Sequence, residues 1–210
     1  MFKLISATPS PYARKIRIAL TEKGLPFELI TEVPWNSTTA TPLYNPLEKL
    51  PVLLLPEGGS VYESSYILEW LELKFPQTPL LPKDIDGILA AKKLDVLCNG
   101  VCDAVVLTHF ERLRESAASP PWLDRQRRKI EGGMREIAQL IGEREWAVGD
   151  RFGLGDIAAA TAAGYLSVRY KELAWQDLYP CFARYCQRLE KRPSLLDNKP
   201  FPQTISDRIV

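Results

Sequence analysis

Three prolines within seven residues divide the sequence into two halves of different character. The segment Pro76-Gln77-Thr78-Pro79-Leu80-Leu81-Pro82 interrupts regular structure, because proline lacks a backbone N–H and has a fixed φ. Strand-like and helical runs alternate before this segment, whereas no convincing strand follows it. We therefore expect a first domain over residues 1–75, a linker over 76–86 and an all-helical domain over 87–210.

The first half has the pattern of a βαβ unit followed by a ββα unit. Short apolar runs bounded by turn residues predict strands, and apolar residues at helical spacing predict helices. The predicted strands are Phe2–Ser6, Phe27–Val33, Val52–Leu55 and Val61–Tyr62, and the predicted helices are Pro11–Lys23 and Ser64–Phe75, with a short helical piece over 38–44. Ser10 and Pro11 form a helix start signal, and Gly24 is a stop signal.

The second half contains four helical segments separated by prolines and glycines. They cover about 86–117, 121–142, 155–171 and 180–191. The third is rich in alanine and small on nearly all sides, which indicates a helix packed at the centre of its domain.

Composition excludes several functions. Lys and Arg total 27 against 26 for Asp and Glu, so the charge excess of a nucleic-acid or anionic-membrane surface is missing. The basic run from Arg125 to Lys129 reads as a solvated helix face. His109 is the only histidine, which argues against zinc sites with several imidazoles and against a serine-hydrolase triad.

Targeting signals and cysteine usage favour the cytoplasm. The N-terminus lacks the apolar stretch of a signal peptide, and no run of about 18 apolar residues exists. The four cysteines, at positions 98, 102, 181 and 186, form no CxxC motif. We expect them to be buried on helices rather than paired in disulfides.

Three motifs carry a resemblance to a known family. They are Ser10-Pro11-Tyr12-Ala13-Arg14-Lys15, the segment from Asn45 to Leu53 (NPLEKLPVL), and the segment from Val61 to Leu71 (VYESSYILEWL). In this order, before an all-helical half, they resemble the cytosolic glutathione transferases over essentially the whole chain. The resemblance implies an α+β thioredoxin-like domain (βαβ-ββα), then an all-α domain, in a cytoplasmic homodimer with a detoxification role. It further implies conjugation of the glutathione thiolate to a hydrophobic electrophile, with glutathione as co-substrate and no metal or other cofactor.

Ser10 is the expected catalytic residue. It lies at a predicted helix N-cap, where backbone N–H groups and the helix dipole favour negative charge. By resemblance its hydroxyl donates to the glutathione thiolate, although N-capping alone would also explain a serine here. Thr8 is the nearest alternative donor and Tyr12 a weaker one. Position 10 corresponds to the first cysteine of thioredoxin-like CPxC motifs, so serine argues against disulfide exchange through a protein thiol.

The other two motifs are expected to hold the glutathione peptide. The resemblance implies a cis Leu50–Pro51 bond, with the backbone of Leu50 pairing with the cysteinyl amide of glutathione. Lys49 would lie near the glycyl carboxylate, although an exposed lysine is equally explained by solubility. Ser64 is interpreted as the N-cap of its helix and as a donor to the γ-glutamyl carboxylate, while Glu63 accepts from the ammonium group.

Some residues of the second half receive weaker interpretations. Asp156 is read as structural, since Gly153 replaces the hydroxyl residue of a capping box and leaves only half of it. By resemblance, Cys98, Cys102, Asp103 and Tyr165 flank the electrophile pocket or the dimer interface, with core packing favoured for the cysteines. Two other functions stay open: a non-catalytic glutathione-binding or interaction protein, and a glutathione-dependent reductase or isomerase, for which Ser10 is unfavourable.

Overall fold

The computed structural model describes residues 1–208, so the last two residues of the predicted helical domain lie outside the described part. The chain forms two compact units. The first contains residues 1–80 together with the described residues from 193 onward, and the second contains residues 81–192.

The first unit is built on a four-stranded mixed sheet. Its elements are β1 (Phe2–Ser6), α1 (Pro11–Glu22), β2 (Phe27–Thr31), β3 (Val52–Leu54), β4 (Ser60–Tyr62) and α2 (Ser64–Lys74). The strand order is β2-β1-β3-β4, with β2 parallel to β1 and the other two pairings antiparallel. The predicted βαβ-ββα order is confirmed, and the short piece over 38–44 is a 3₁₀ turn at Thr41–Leu43.

Helix α1 shows why the sequence folds this way locally. Ser10 has extended backbone geometry, and its hydroxyl accepts the N–H of Ala13 at 3.2 Å. Pro11 occupies the first helical position, where a missing N–H costs nothing. Gly24, with φ of 66°, follows the end of the helix. Helices α1 and α2 pack against each other, α1 against β1 and α2 against β4. The buried apolar side chains of this unit include Leu4, Ile5, Ile16, Leu20, Val52, Leu53, Ile67 and Leu71.

All regular elements among the described residues of the second unit are helical. Its helices are α3 (Ile85–Arg112), α4 (Pro120–Ile141), α5 (Leu154–Arg169), α6 (Trp175–Leu178) and α7 (Pro180–Leu189). Helix α5 packs against both α3 and α7, and nearly all of its residues are buried, as its small side chains predict. The predicted helix over 86–117 is too long. It ends at Arg112, and Glu115, with φ of 51°, begins a separate 3₁₀ turn.

Asp156 has the structural role that the sequence indicates. Its carboxylate accepts the N–H of Gly153 at 2.9 Å and that of Ala147 at 3.0 Å, and the Tyr185 hydroxyl donates to it. Burial raises the pKa of this carboxyl, against the opposing effect of the hydrogen bonds. The carboxylate therefore joins the start of α5 to the preceding loop and to α7.

Residues 193–208 pack on the first unit, whereas the sequence pattern predicts that they belong to the helical domain. They contain a short helix, α8 (Pro193–Leu196), which contacts α1. The buried guanidinium of Arg14 donates to the backbone carbonyls of Asn198 at 2.9 Å and Leu195 at 3.4 Å. Further along, Gln203 donates to the carbonyl of Glu32 at 3.1 Å. These bonds connect residues 171 to 184 positions apart, which no local pattern reveals.

The cysteines are free of disulfides within residues 1–208. Cys98, Cys102 and Cys186 are buried and Cys181 is partly exposed. No helix of the described chain combines the length and apolar character that crossing a membrane requires.

Candidate functional site

The register of the sheet brings the three sequence motifs to one end of it. Strand β1 ends at Ser6, shortly before Ser10. Ile5 of β1 is paired with Val52 of β3, and Val52 is also paired with Tyr62 of β4. Because both pairings are antiparallel, the end of β1, the start of β3 and the end of β4 lie side by side. The Ser10 loop, the Leu50–Pro51 bond and the start of α2 therefore share one edge of the unit.

Ser10 retains a hydroxyl hydrogen for a ligand. Its oxygen accepts the N–H of Ala13, so the N-cap function is present. A hydroxyl has one hydrogen and two lone pairs, and N-capping uses only one lone pair. Thr8, the alternative donor, has a buried hydroxyl oxygen with no hydrogen-bond partner among residues 1–208. Both hydroxyls therefore have unused hydrogen-bonding capacity in the same loop.

The loop before β3 presents a backbone edge. The Leu50–Pro51 peptide bond is cis, as the resemblance implies. Among the described residues the backbone N–H and C=O of Leu50 make no hydrogen bond. Lys49 is exposed, and its ammonium group forms no ion pair within residues 1–208. One residue thus offers an unpaired donor and acceptor, and its neighbour offers an unpaired positive charge.

Asn45 fixes this loop, a role that the sequence analysis did not assign. Its buried side chain donates to the carbonyl of Lys49 at 2.7 Å and accepts the N–H of Leu47 at 2.9 Å. Glu48 between them has φ of 55°. An Asn-Pro pair is a turn signal, and asparagine side chains commonly bond to backbone two residues on. The signal was therefore present in the sequence.

The start of α2 differs from the prediction by one residue. Glu63, not Ser64, is the N-cap. Its carboxylate accepts the N–H groups of Ser65 and Tyr66, both at 3.2 Å, while Ser64 is the first helical residue. Glu63 has φ of 71°, and this backbone turn directs its side chain over the first turn of the helix. The interpretation of Ser64 as N-cap is wrong because the longer glutamate side chain takes that function.

Glu63 and Ser64 nonetheless form a matched pair. The Ser64 hydroxyl lies 3.4 Å from a carboxylate oxygen of Glu63. Glu63 is exposed, whereas Ser64 is only 2% exposed. A carboxylate has about four lone-pair positions, so three contacts leave capacity for a cation. An exposed carboxylate beside a helix N-terminus offers an acceptor for a cation and donors for an anion at adjacent positions.

The remaining sequence candidates lie in the second unit. Cys98, Cys102 and Tyr165 are buried, and Asp103 is exposed. Burial raises the pKa of the Tyr165 hydroxyl, which therefore stays protonated at neutral pH. His109, on α3, is half-buried. No group of three or more metal-ligating side chains occurs in the part of the chain that the structure describes.

Comparison with known proteins identifies relatives over the whole chain. Residues 9–74 match the family model of the glutathione S-transferase N-terminal domain, and residues 120–188 match that of the C-terminal domain. The chain is 33% identical over 199 residues to the uncharacterized GST-like protein YibF of Escherichia coli (strain K12), covering 94% of this chain and 98% of that protein.

Two solved structures are similar throughout. A glutathione S-transferase of Methylobacterium radiotolerans, in complex with glutathione sulfonate, is 69% identical. Its TM-score is 0.98, and the match covers 100% of this chain and 99% of that one. A glutathione S-transferase of Methylobacillus flagellatus, with glutathione bound, is 36% identical. Its TM-score is 0.90, and the match covers 95% of this chain and 100% of that one.

Proposed function

Because the chain belongs to the glutathione S-transferase superfamily, we propose that it is an enzyme that conjugates the glutathione thiolate to a hydrophobic electrophile. The observation that carries this proposal is the convergence of three ligand-binding features at one end of the sheet: the Ser10 hydroxyl, the unpaired backbone of Leu50 and the Glu63–Ser64 pair. The relatives that contain glutathione or its sulfonate support the choice of ligand.

The γ-glutamyl end of glutathione fits the start of α2. This end carries an ammonium and a carboxylate on one carbon atom. In our proposal Glu63 accepts hydrogen bonds from the ammonium. The Ser64 N–H, which does not donate to the cap, and the Ser64 hydroxyl, turned from Glu63 to the ligand, bind the carboxylate. Glu63 supplies its charge even while it caps the helix, since capping occupies only part of its acceptor capacity.

The middle and the glycyl end of glutathione would bind to the loop before β3. The Leu50 N–H and C=O pair with the cysteinyl amide as an added strand pairs with a sheet edge, with Pro51 closing the loop. Lys49 attracts the glycyl carboxylate from solvent. Because Lys49 is exposed, we expect its contribution to be a fraction of a kcal/mol and sensitive to salt.

Ser10 would stabilise the thiolate. The thiol proton is released to water, and the Ser10 hydroxyl donates to the resulting sulfur anion. The thiolate then attacks the electrophilic carbon, where the C–S bond forms and the bond to the leaving group breaks, so a halide departs with its electron pair. A hydrogen bond to a charged group contributes about 1.5–3 kcal/mol, which corresponds to roughly one or two powers of ten in the ionisation equilibrium.

We also propose a cytoplasmic homodimer. Helix α3 exposes Ile85, Leu89 and Val96 at 74%, 60% and 70%, and their spacing of four and seven residues places them on one face of the helix. An exposed apolar stripe of this kind is typical of an interface, here with a second copy. Sedimentation of a single 23.7 kDa species at micromolar concentration would contradict the dimer.

A titration of the bound thiol tests the function. With wild-type protein, we expect the ultraviolet absorbance of the thiolate to appear at a pH well below the ordinary thiol pKa of about 8.5. We also expect conjugation of a chloronitrobenzene, with stoichiometric chloride release. Binding with a lowered thiol pKa but without conjugation would favour the non-catalytic alternative. If the folded protein does not bind glutathione, glutathione is not its substrate.

A further inference from the structure

A cluster of polar side chains occurs in the helical unit, among residues that the proposed glutathione site does not use. Helix α5 carries Tyr165 and Arg169 four residues apart, and α3 carries His109 and Arg112 three residues apart. Each spacing places the two residues on one face of its helix, and α3 packs against α5. The guanidinium of Arg169 hydrogen-bonds to the Tyr165 hydroxyl. The charges of Arg169 and Arg112 both act on His109.

The positive charge of this cluster is only partly neutralised. Arg112 forms an ion pair with Glu172 and lies 5.1 Å from the centre of the Tyr170 ring. Arg169, by contrast, forms no ion pair within the described chain. Its Nε is buried without a hydrogen-bond partner among residues 1–208. The negative end of the α5 dipole compensates part of the charge but provides no partner for this N–H.

An unpartnered guanidinium donor requires an explanation. A buried donor without an acceptor costs roughly 1–3 kcal/mol, and such groups in native proteins mark strain, a functional role or a missing partner such as a water molecule or an ion. Arginine presents its donors as a rigid planar fork, which matches the two oxygens of a carboxylate. A carboxylate that accepts from Nε would therefore complete the hydrogen bonds of this guanidinium.

The neighbouring side chains, His109 and Tyr165, are both hydrogen-bond donors at neutral pH. Burial and the nearby Arg169 and Arg112 charges lower the pKa of His109 below its ordinary value of 6.5. The neutral imidazole keeps one N–H. Burial raises the pKa of Tyr165, so its hydroxyl keeps its hydrogen. The Phe110 ring lies 5.2 Å from the imidazole, between ring centres, and supplies apolar surface.

We propose that Arg169, with Tyr165 and His109, binds the carboxylate of an apolar ligand, and that this ligand is the electrophile. The identification of this ligand as the electrophile rests on the function proposed above, whereas the carboxylate site itself does not. The preferred substrates are then aromatic or unsaturated carboxylic acids, which bind more tightly than neutral electrophiles of the same shape. The carboxylate takes the unused Nε donor of Arg169, and the apolar body of the ligand contacts Phe110.

Paired ligands test the proposal. The probes are a chloronitrobenzoate and the neutral chloronitrobenzamide of the same substitution pattern, titrated by calorimetry into wild-type protein, Arg169→Gln and Arg169→Lys. Arg135→Gln removes an exposed arginine of α4 and is the matched control. We expect wild-type protein and the control to bind the carboxylate about 10- to 100-fold more tightly than the amide, as a charge-assisted hydrogen bond implies.

The variants separate the charge from the shape of the guanidinium. Arg169→Gln is expected to abolish the preference while leaving affinity for the amide unchanged. Arg169→Lys keeps the charge but lacks the fork, and is expected to keep only part of the preference. Equal affinities in wild-type protein, or equal losses for both probes in Arg169→Gln, would overturn the proposal. The wild-type comparison needs no substitution, so it stays decisive if a variant fails to fold.

His109 provides a second readout. It is the only histidine, so its imidazole proton signals in NMR need no assignment. A carboxylate bound between the cations should raise the pKa of His109, and the amide should not. Conjugation is then measured with both probes at saturating glutathione. Preferential binding without conjugation of either would refute the transferase function but leave the carboxylate site intact.

Discussion

Glu63 connects the local fold with the proposed ligand. A positive φ in a residue other than glycine costs of the order of 1–3 kcal/mol. Helix capping does not require this conformation, since Ser10 caps α1 with φ of −62°. At Glu63, with φ of 71°, the unusual backbone directs a carboxylate towards the first turn of α2. We therefore interpret the strained backbone as part of the binding geometry for the γ-glutamyl group.

Ser10→Ala should lower the rate of conjugation by about 10- to 100-fold. The variant removes a donor worth about 1.5–3 kcal/mol to the thiolate, and each 1.36 kcal/mol is tenfold in rate. The pKa of the bound thiol should rise correspondingly. Thr8→Val is the matched control, because it removes the neighbouring hydroxyl while keeping the shape of the side chain.

Stability must be measured alongside the rate. Ser10→Ala also removes the N-cap hydrogen bond of α1, which should reduce the free energy of unfolding by about 1 kcal/mol. This loss of stability is separate from the change in the thiol pKa. If Thr8→Val raises the thiol pKa and Ser10→Ala does not, Thr8 is the donor. If neither variant changes that pKa, the thiolate is stabilised without a hydroxyl.

At the level of elements, a buried lysine fastens the segment after α2 to the first unit. The ammonium of Lys23 lies 2.6 Å from Glu72 and donates to the carbonyls of Phe75 and Thr78 at 3.0 and 2.9 Å. The Glu72 carboxylate accepts the N–H of Leu80. The start of the predicted linker is therefore ordered through polar contacts with α1 and α2.

Lys23→Met should destabilise the protein by about 3–5 kcal/mol. Removing one partner of a buried ion pair is strongly destabilising, and here the carbonyls of Phe75 and Thr78 lose their donor as well. Lys74→Met removes an exposed lysine at the end of α2 and should change stability by less than about 0.5 kcal/mol. Chemical denaturation measures both. Equally small losses of unfolding free energy in the two variants would show that the Lys23–Glu72 ion pair is dispensable.

The sequence predicted the elements well where the signal is local. Ser10, Pro11 and Gly24 mark the ends of α1 closely, and the alanine-rich pattern identified α5 as central. The errors arise where distant contacts decide. Residues 193–208 join the first unit through the Arg14 guanidinium. The end of α3 depends on the positive φ of Glu115, a residue that carries no breaker signal.

The residues of the candidate site could also be predicted from the sequence, because their signals are local. Its three motifs are each contiguous, so the residues could be found before their register was known. The motifs do not predict backbone angles or contacts between distant helices. The cap shifts from Ser64 to Glu63 because of one backbone angle. The Arg169 cluster joins two helices more than 50 positions apart and has no linear pattern.

In the whole molecule, residues from both the start and the end of the described chain belong to the first unit. Strand β1 lies inside the sheet, between β2 and β3, and α8 packs against α1. The proposed glutathione site belongs wholly to this unit. The proposed carboxylate-binding site around Arg169 belongs wholly to the helical unit. Each ligand can therefore be tested by its own binding measurement, independent of turnover.

Glutathione binding to wild-type protein and to Glu63→Gln is the decisive test of glutathione recognition at the start of α2. Calorimetric titrations use glutathione and glutaryl-cysteinyl-glycine, which lacks only the ammonium group. Glutamine can still cap α2, and Glu57→Gln, in an exposed turn, is the matched control. We predict that Glu63→Gln weakens glutathione binding about 10- to 100-fold and leaves the affinity for the analogue unchanged. Equal affinities of wild-type protein and Glu63→Gln for glutathione would contradict the account.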